Sequence, residues 1–229
     1  MIQMPTRRFA LAAVLSLCLV PLFGCQSAIE KAARNTSYSA YELIGIEKRD
    51  LLKSRVGKAR SEQKEASENF ESALDRLKAL THFDGGNLER QYRSLQSAYD
   101  RSAEQAANVR QSIDKVETVA SDLYEEWEKE IGEIQTASLK NSSRRKLEET
   151  KKKSTSLVAA LRKSEKSMTP ILAKLKDQVL FLKHNLNAQA VGSLKGESAR
   201  IENDIEKLLK EMNQSIAEAD RFIKELEAP

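Results

Sequence analysis

LERQYRSLQSAYDRSAEQAANVRQSIDKVETVASDLYEEWEKEIGEI, residues Leu88–Ile134, decides the fold. Along it Leu88, Tyr92, Leu95, Tyr99, Ser102, Ala106, Val109, Ile113, Val116, Ala120, Leu123, Trp127, Glu130 and Ile134 follow at alternating steps of three and four. Only Ser102 and Glu130 among them are polar, so an α-helix here carries one continuous apolar stripe. A seven-residue repeat sustained this long demands partner helices, because on an isolated straight helix the stripe drifts around the axis. At ~1.5 Å per residue the helix is roughly 75 Å long.

The same register extends on both sides. Upstream, Leu52, Val56, Ala59, Gln63, Ala66, Phe70, Ala73, Leu77 and Leu80 keep it, with one polar member. Asp84-Gly85-Gly86-Asn87 then supplies left-handed backbone positions and an N-cap, which predicts a turn between antiparallel helices. Downstream, a weaker break is expected near Thr136–Ser143, with Asn141, Ser142 and Ser143 as caps. A third stripe follows: Leu147, Thr150, Ser154, Leu157, Leu161, Ser164, Met168, Ile171, Leu175, Gln178 and Leu182. Pro170 falls inside it without disturbing the spacing, so a kink or local restart is expected there, not a domain boundary. Gly192-Ser193-Leu194-Lys195-Gly196 reads as the connection to a last helix, capped by Ser193, whose stripe is Ile201, Ile205, Leu208, Met212, Ala219, Phe222 and Leu226. The expectation is all-α: an elongated antiparallel helical bundle or coiled coil of about four helices, three of them of about 45–50 residues. Ser, Thr and Gln on the seam weaken packing but fix register.

Composition agrees. Eight Gly and four Pro in 229 residues, with 5% aromatics, leave little material for sandwiches or barrels. A 31% charged, 40% hydrophobic balance is too apolar for a disordered chain.

The first residues read differently. Arg7 and Arg8 precede the apolar run FALAAVLSLCLVPLF, Phe9–Phe23, which is short of the roughly 20 residues a permanent span needs and fits a secretory leader. It ends in Leu22-Phe23-Gly24-Cys25, which resembles the bacterial lipobox, with the bulky Phe23 inside it. The resemblance implies cleavage before Cys25 and acylation of its thiol, giving a leader over 1–24, a lipid-anchored tether over 25–37 and the bundle over 38–229. Two or three acyl chains anchor stably where one is marginal. Gln26, in place of the Asp that retains such lipoproteins in the inner membrane, implies the periplasmic face of the outer membrane. Cys18 leaves with the leader, so no thiol or disulfide chemistry remains. The net charge of +4 falls to +2 without Arg7 and Arg8, which offers no argument for nucleic acid.

Chemistry-bearing motifs are scarce. His82 and His184 lack a second ligand at helical spacing, so no metal set is read, and helix-end or solvated positions are expected for both. Gly192–Gly196 lacks the spacing and the lysine of a phosphate loop, and no cofactor is expected. The acidic run around Trp127 reads as a solvated face, because acid–base work needs a pocket that raises one pKa. Arg144, Arg145 and Lys146 form a basic cluster able to meet an anionic partner, or an ordinary charged face. VLFLKHNLNAQAV, Val179–Val191, follows an apolar patch with Lys183, His184, Asn185, Asn187 and Gln189. On a helix its amides approach the seam, where they either form a hydrogen-bonded packing layer or dock a partner.

The lipobox start, EKRDLLKSRV at Glu47–Val56, and above all DQVLFLKHNLNAQAVGSLKGE at Asp177–Glu197 resemble an uncharacterised bacterial lipoprotein family carrying a domain of unknown function. That resemblance implies an all-helical exported lipoprotein and assigns no activity. The function expected is non-enzymatic: an outer-membrane-anchored module that binds an envelope protein or a second copy of itself. The alternative is a helical lipoprotein that opens its apolar stripe around Ile171–Leu186 to hold a lipid or other hydrophobic ligand.

Overall fold

The computed structural model describes residues 30–35, 38, 47–83 and 85–227. The chain divides into two units, residues 1–45 and 46–229. In the first, residues 30–35 are helical. The second consists of four long helices: α1 (Lys48–Thr81), α2 (Leu88–Glu133), α3 (Ala137–His184) and α4 (Ala188–Glu227). No strand occurs among the described residues.

Each helix packs on two others, in the ring α1–α2–α3–α4–α1. Cross-helix pairs fix the antiparallel sense. Arg60 binds Asp220 and Lys53 binds Glu227 at 2.5 Å between α1 and α4. Arg110 reaches Glu165 at 2.6 Å between α2 and α3, and Lys174 reaches Asp204 at 2.7 Å between α3 and α4. Apart from the buried Glu165, the partners are substantially exposed, and such pairs contribute little stability each; burial of the stripes holds the bundle. All nine stripe residues of α1, from Leu52 to Leu80, are buried, as are all eleven of α3, from Leu147 to Leu182. On α4 the stripe from Ile201 to Phe222 is buried and Leu226 is half-buried.

The α1–α2 turn matches its sequence. Gly85 and Gly86 have φ of 144° and 107°, where an L side chain is strained, and Asn87 Oδ1 accepts from Arg90 N at 2.9 Å.

The other two connections lie elsewhere than expected. The α2–α3 turn occupies Ile134–Thr136, and Asn141–Ser143 stand inside α3. Ser143 is used across the hairpin, its Oγ accepting from Trp127 Nε1 at 2.9 Å. The α3–α4 turn is Asn185–Asn187, not Gly192–Gly196. Two asparagines perform both terminations: Asn185 Nδ2 donates to Phe181 O at 2.9 Å, and Asn187 Oδ1 accepts from Ala190 N at 2.9 Å. Gly192 and Gly196 lie within α4, where each costs about 1 kcal/mol relative to Ala; burial of Val191, Leu194 and Ser198 holds the helix regardless. Ser193 does not cap but donates back to Gln189 O at 3.0 Å. The helices therefore measure 34, 46, 48 and 40 residues.

Pro170 causes no restart: α3 runs through it, and the proline is exposed, so water can reach the Lys166 carbonyl that receives no N–H from it.

One polar layer crosses the core. Gln63 of α1, fully buried, donates from Nε2 to Ser164 Oγ of α3 and to Ser215 Oγ of α4, the latter at 3.2 Å. Both serines donate onward to carbonyls of their own helices, Leu161 at 2.9 Å and Met212 at 2.8 Å. Gln63 Oε1 has no partner. Gln63→Leu is therefore expected to raise stability by about 1 kcal/mol, since it removes a buried orphan acceptor and leaves both hydroxyls bonded. A urea midpoint below that of the parent would show the amide contributing more than its burial costs.

Candidate functional site

The candidate residues fall into two groups that the bundle keeps apart. Lys183 and His184 close the last turn of α3, a placement that suits positive charge at a helix C-terminus. Asn185 and Asn187 cap the turn beyond, and Gln189 is exposed in the first turn of α4. None of the three amides forms the buried hydrogen-bonded layer on the seam, and of the three only Gln189 is helical. Arg144, Arg145 and Lys146 stand near the start of α3, all exposed. Some 38 residues of one helix separate the groups, about 57 Å. Cys25 lies outside the described residues.

The turn end carries an apolar cluster. Leu180, Phe181 and Leu186 are 45%, 39% and 42% exposed, beside the exposed Lys183 and His184. They are three of the four large apolar side chains that the described bundle leaves in water; Leu139, 61% exposed at the start of α3, is the fourth. Their neighbours Val179 and Leu182 are buried, so the helix offers one face to the core and a second apolar face outward.

The opposite end holds a feature that stripe reading missed. A cavity of 300 Å³ opens where α1 begins and α4 ends, with Leu123 and Trp127 of α2 and Phe222 and Leu226 of α4 as its apolar lining. These are ordinary seam residues by spacing. They become a cavity because α2 and α3 are longer than α1 and α4, so the seam runs on after two of its four helices have stopped. The mismatch between stripe lengths was the available signal. Trp127 is held by its bond to Ser143, and Glu126 by Lys48 at 2.6 Å. Nearby, burial pushes the Tyr124 phenol above its ordinary value. Arg144 and Arg145 border a separate shallow groove with Glu148 and Glu149.

Two carboxyls elsewhere in the bundle are shifted from their ordinary value. Burial alone pushes the Glu62 and Glu211 carboxyls up. Hydrogen bonds from Lys58 and Gln105 to Glu62, and from Ser167 and Lys163 to Glu211, outweigh it and hold both below the usual value. A general acid near neutral pH needs the opposite shift. His82 sits at the end of α1 with Nδ1 2.9 Å from Lys78 O, and His184 ends α3, both exposed. No group of three or more His, Cys, Asp or Glu able to hold a metal ion occurs among the described residues. None of the described helices is long and apolar enough to cross a membrane.

Fold and surfaces together define an up-and-down four-helix bundle with apolar features at both ends. Residues 37–226 match the family described as protein of unknown function DUF2959, and the chain belongs to that family. No curated protein matches it.

Proposed function

We propose that the chain is a non-enzymatic lipoprotein, held through Cys25 at the periplasmic face of the outer membrane, whose bundle docks another envelope protein or a second copy of itself. The observation that carries this reading is the exposed trio Leu180, Phe181 and Leu186, three of the four large apolar side chains that the described bundle leaves exposed. Exposed apolar clusters rimmed by charge are characteristic of docking surfaces. The basic neighbours Lys183 and His184 favour an acidic rim on the partner. Anchoring rests on the Leu22–Cys25 pattern and on Gln26.

One experiment tests both halves. A photo-crosslinking residue replaces Phe181 in intact cells, with Cys25 present or changed by Cys25→Ala. With Cys25, the protein is expected in the outer membrane and joined to a discrete partner; Cys25→Ala is expected to release or leave it unprocessed and abolish the adduct. Quantitative recovery of the Cys25→Ala protein in the outer membrane would sink the anchoring claim. An anchored protein with no adduct from residue 181 would sink the docking claim.

In the ligand-binding alternative, Ile171, Leu175, Val179 and Leu182 are buried in the closed bundle, so a ligand held there requires the helices to open and give up core packing. A specific observation favours ligand binding at the other end, where the cavity beside Trp127 is already open.

A further inference from the structure

The cavity beside Trp127 has a charge pattern as well as an apolar lining. Five carboxylates border it, those of Glu47, Glu126, Glu130, Glu149 and Glu225, against the cations of Arg49, Lys146 and Lys153. Several are already engaged. Glu126 binds Lys48 at 2.6 Å, Glu225 binds Lys153 at 3.1 Å, and Arg49 Nη2 donates to the carbonyl of Leu226. Glu47, Glu130 and Glu149 make no ion pair among the described residues, and two cations stand against them: Lys146, and Arg49, whose bond to a neutral carbonyl cancels none of its charge. The rim thus keeps an excess of negative charge above a lining of two aromatic and two leucine side chains.

We propose that this cavity is a binding site for an organic cation: a primary ammonium or guanidinium group carried on an apolar stem. The stem covers Leu123, Phe222 and Leu226, and the positive head meets the carboxylates at the mouth, with the indole of Trp127 adding attraction for a cation over its face. At 300 Å³ the space suits a small amine or one long basic side chain, at the lower end of the usual range for ligand sites. A carboxylate or phosphate head would meet the same rim with the wrong sign. This gives the ligand-binding alternative a place and a chemistry, rests on that alternative, and is independent of anchoring and of the surface at Phe181.

Trp127 is the sole tryptophan of the chain, so selectively excited tryptophan emission reports on this cavity alone. The purified full-length chain is titrated with hexylammonium, with N-acetyl-lysine methylamide as a side chain borne on a peptide, and with hexanoate and hexanol as anionic and neutral counterparts. Both cations are expected to shift Trp127 emission saturably and shield it from acrylamide. The tighter of the two assigns the source as a free amine or a partner's basic side chain. Hexanoate and hexanol should bind at least ~5-fold more weakly, the scale set by losing a few partly exposed charge contacts. The triple variant Glu47→Gln, Glu130→Gln, Glu149→Gln should weaken hexylammonium by a similar factor. Lys146→Gln, which removes one competing cation, should tighten it. Hexanol binding as tightly as hexylammonium overturns the cation assignment while leaving an apolar site. A flat titration with every probe overturns the site and, with it, the ligand reading. Unchanged hexylammonium affinity in both the triple variant and Lys146→Gln overturns the role given to the rim.

Discussion

Phe70→Ala should lower the stability of the bundle by about 3–5 kcal/mol, the largest effect expected of any single truncation in α1. Phe70 is the bulkiest of the fully buried side chains, with 0% exposure, and it lies about two-thirds of the way along the shortest helix. Truncation removes its transfer free energy and leaves a void that two or three long helices cannot close without bending. In a bundle one side chain deep, a single layer carries a large share of the local core. Urea unfolding followed by helical ellipticity reads the loss. Leu139→Ala is the control: Leu139 is 61% exposed, and its truncation should stay within about 0.5 kcal/mol of the parent. A Phe70→Ala midpoint indistinguishable from that of Leu139→Ala would contradict the ring of four packed stripes.

The second large effect has the opposite sign. Gly57→Ala, Gly192→Ala and Gly196→Ala combined should stabilise the chain by about 2–3 kcal/mol, the summed helix propensity difference. All three lie within helices, none has positive φ, and a Cβ at each would meet nothing within 4 Å. Distant surface sites of this kind add nearly independently, although Gly192 and Gly196 are one turn apart and can couple slightly. Gly85→Ala and Gly86→Ala at the first turn should destabilise instead, because φ there is 144° and 107°. The pair of experiments separates a helical Gly192–Gly196 from a loop: in a loop with left-handed glycines, the first set would lower the melting temperature as the second does.

The difference between those glycines shows what one-dimensional reading could reach. Stripes on α1 and α3 were fully legible, because steps of three and four with large apolar residues leave only one face to bury. On α2 the register held at Leu95, Ser102, Val109, Ile113, Val116 and Ala120, but Ala98 and Gln105 are buried where the spacing favoured Tyr99 and Ala106. Gln105 is drawn in by a partner on another helix, donating to Glu62 O at 3.1 Å and to the Glu62 carboxylate. No pattern within α2 contains that information. The α3–α4 turn was misplaced for a related reason. Two glycines outweighed two asparagines as break signals, whereas the structure spends the asparagines on caps and supports the glycines by packing. Of the candidate site, the position of the basic cluster on a charged face was legible. The cavity was not, because it depends on where four helices stop relative to one another.

Ring closure by α1 against α4 has a mechanical consequence. Lys48 and Glu227 lie at one end of the bundle, while Phe181 and Leu186 lie at the other. Tension between Lys48 and a partner gripping Phe181 runs along the helix axes, so yielding requires many seam contacts to slide at once. Tension between Lys48 and Glu227 instead peels α1 from α4 turn by turn, each step resisted by only a few side chains. The same bundle is a stiff strut when pulled from end to end and a zip fastener when pulled by the outer ends of α1 and α4.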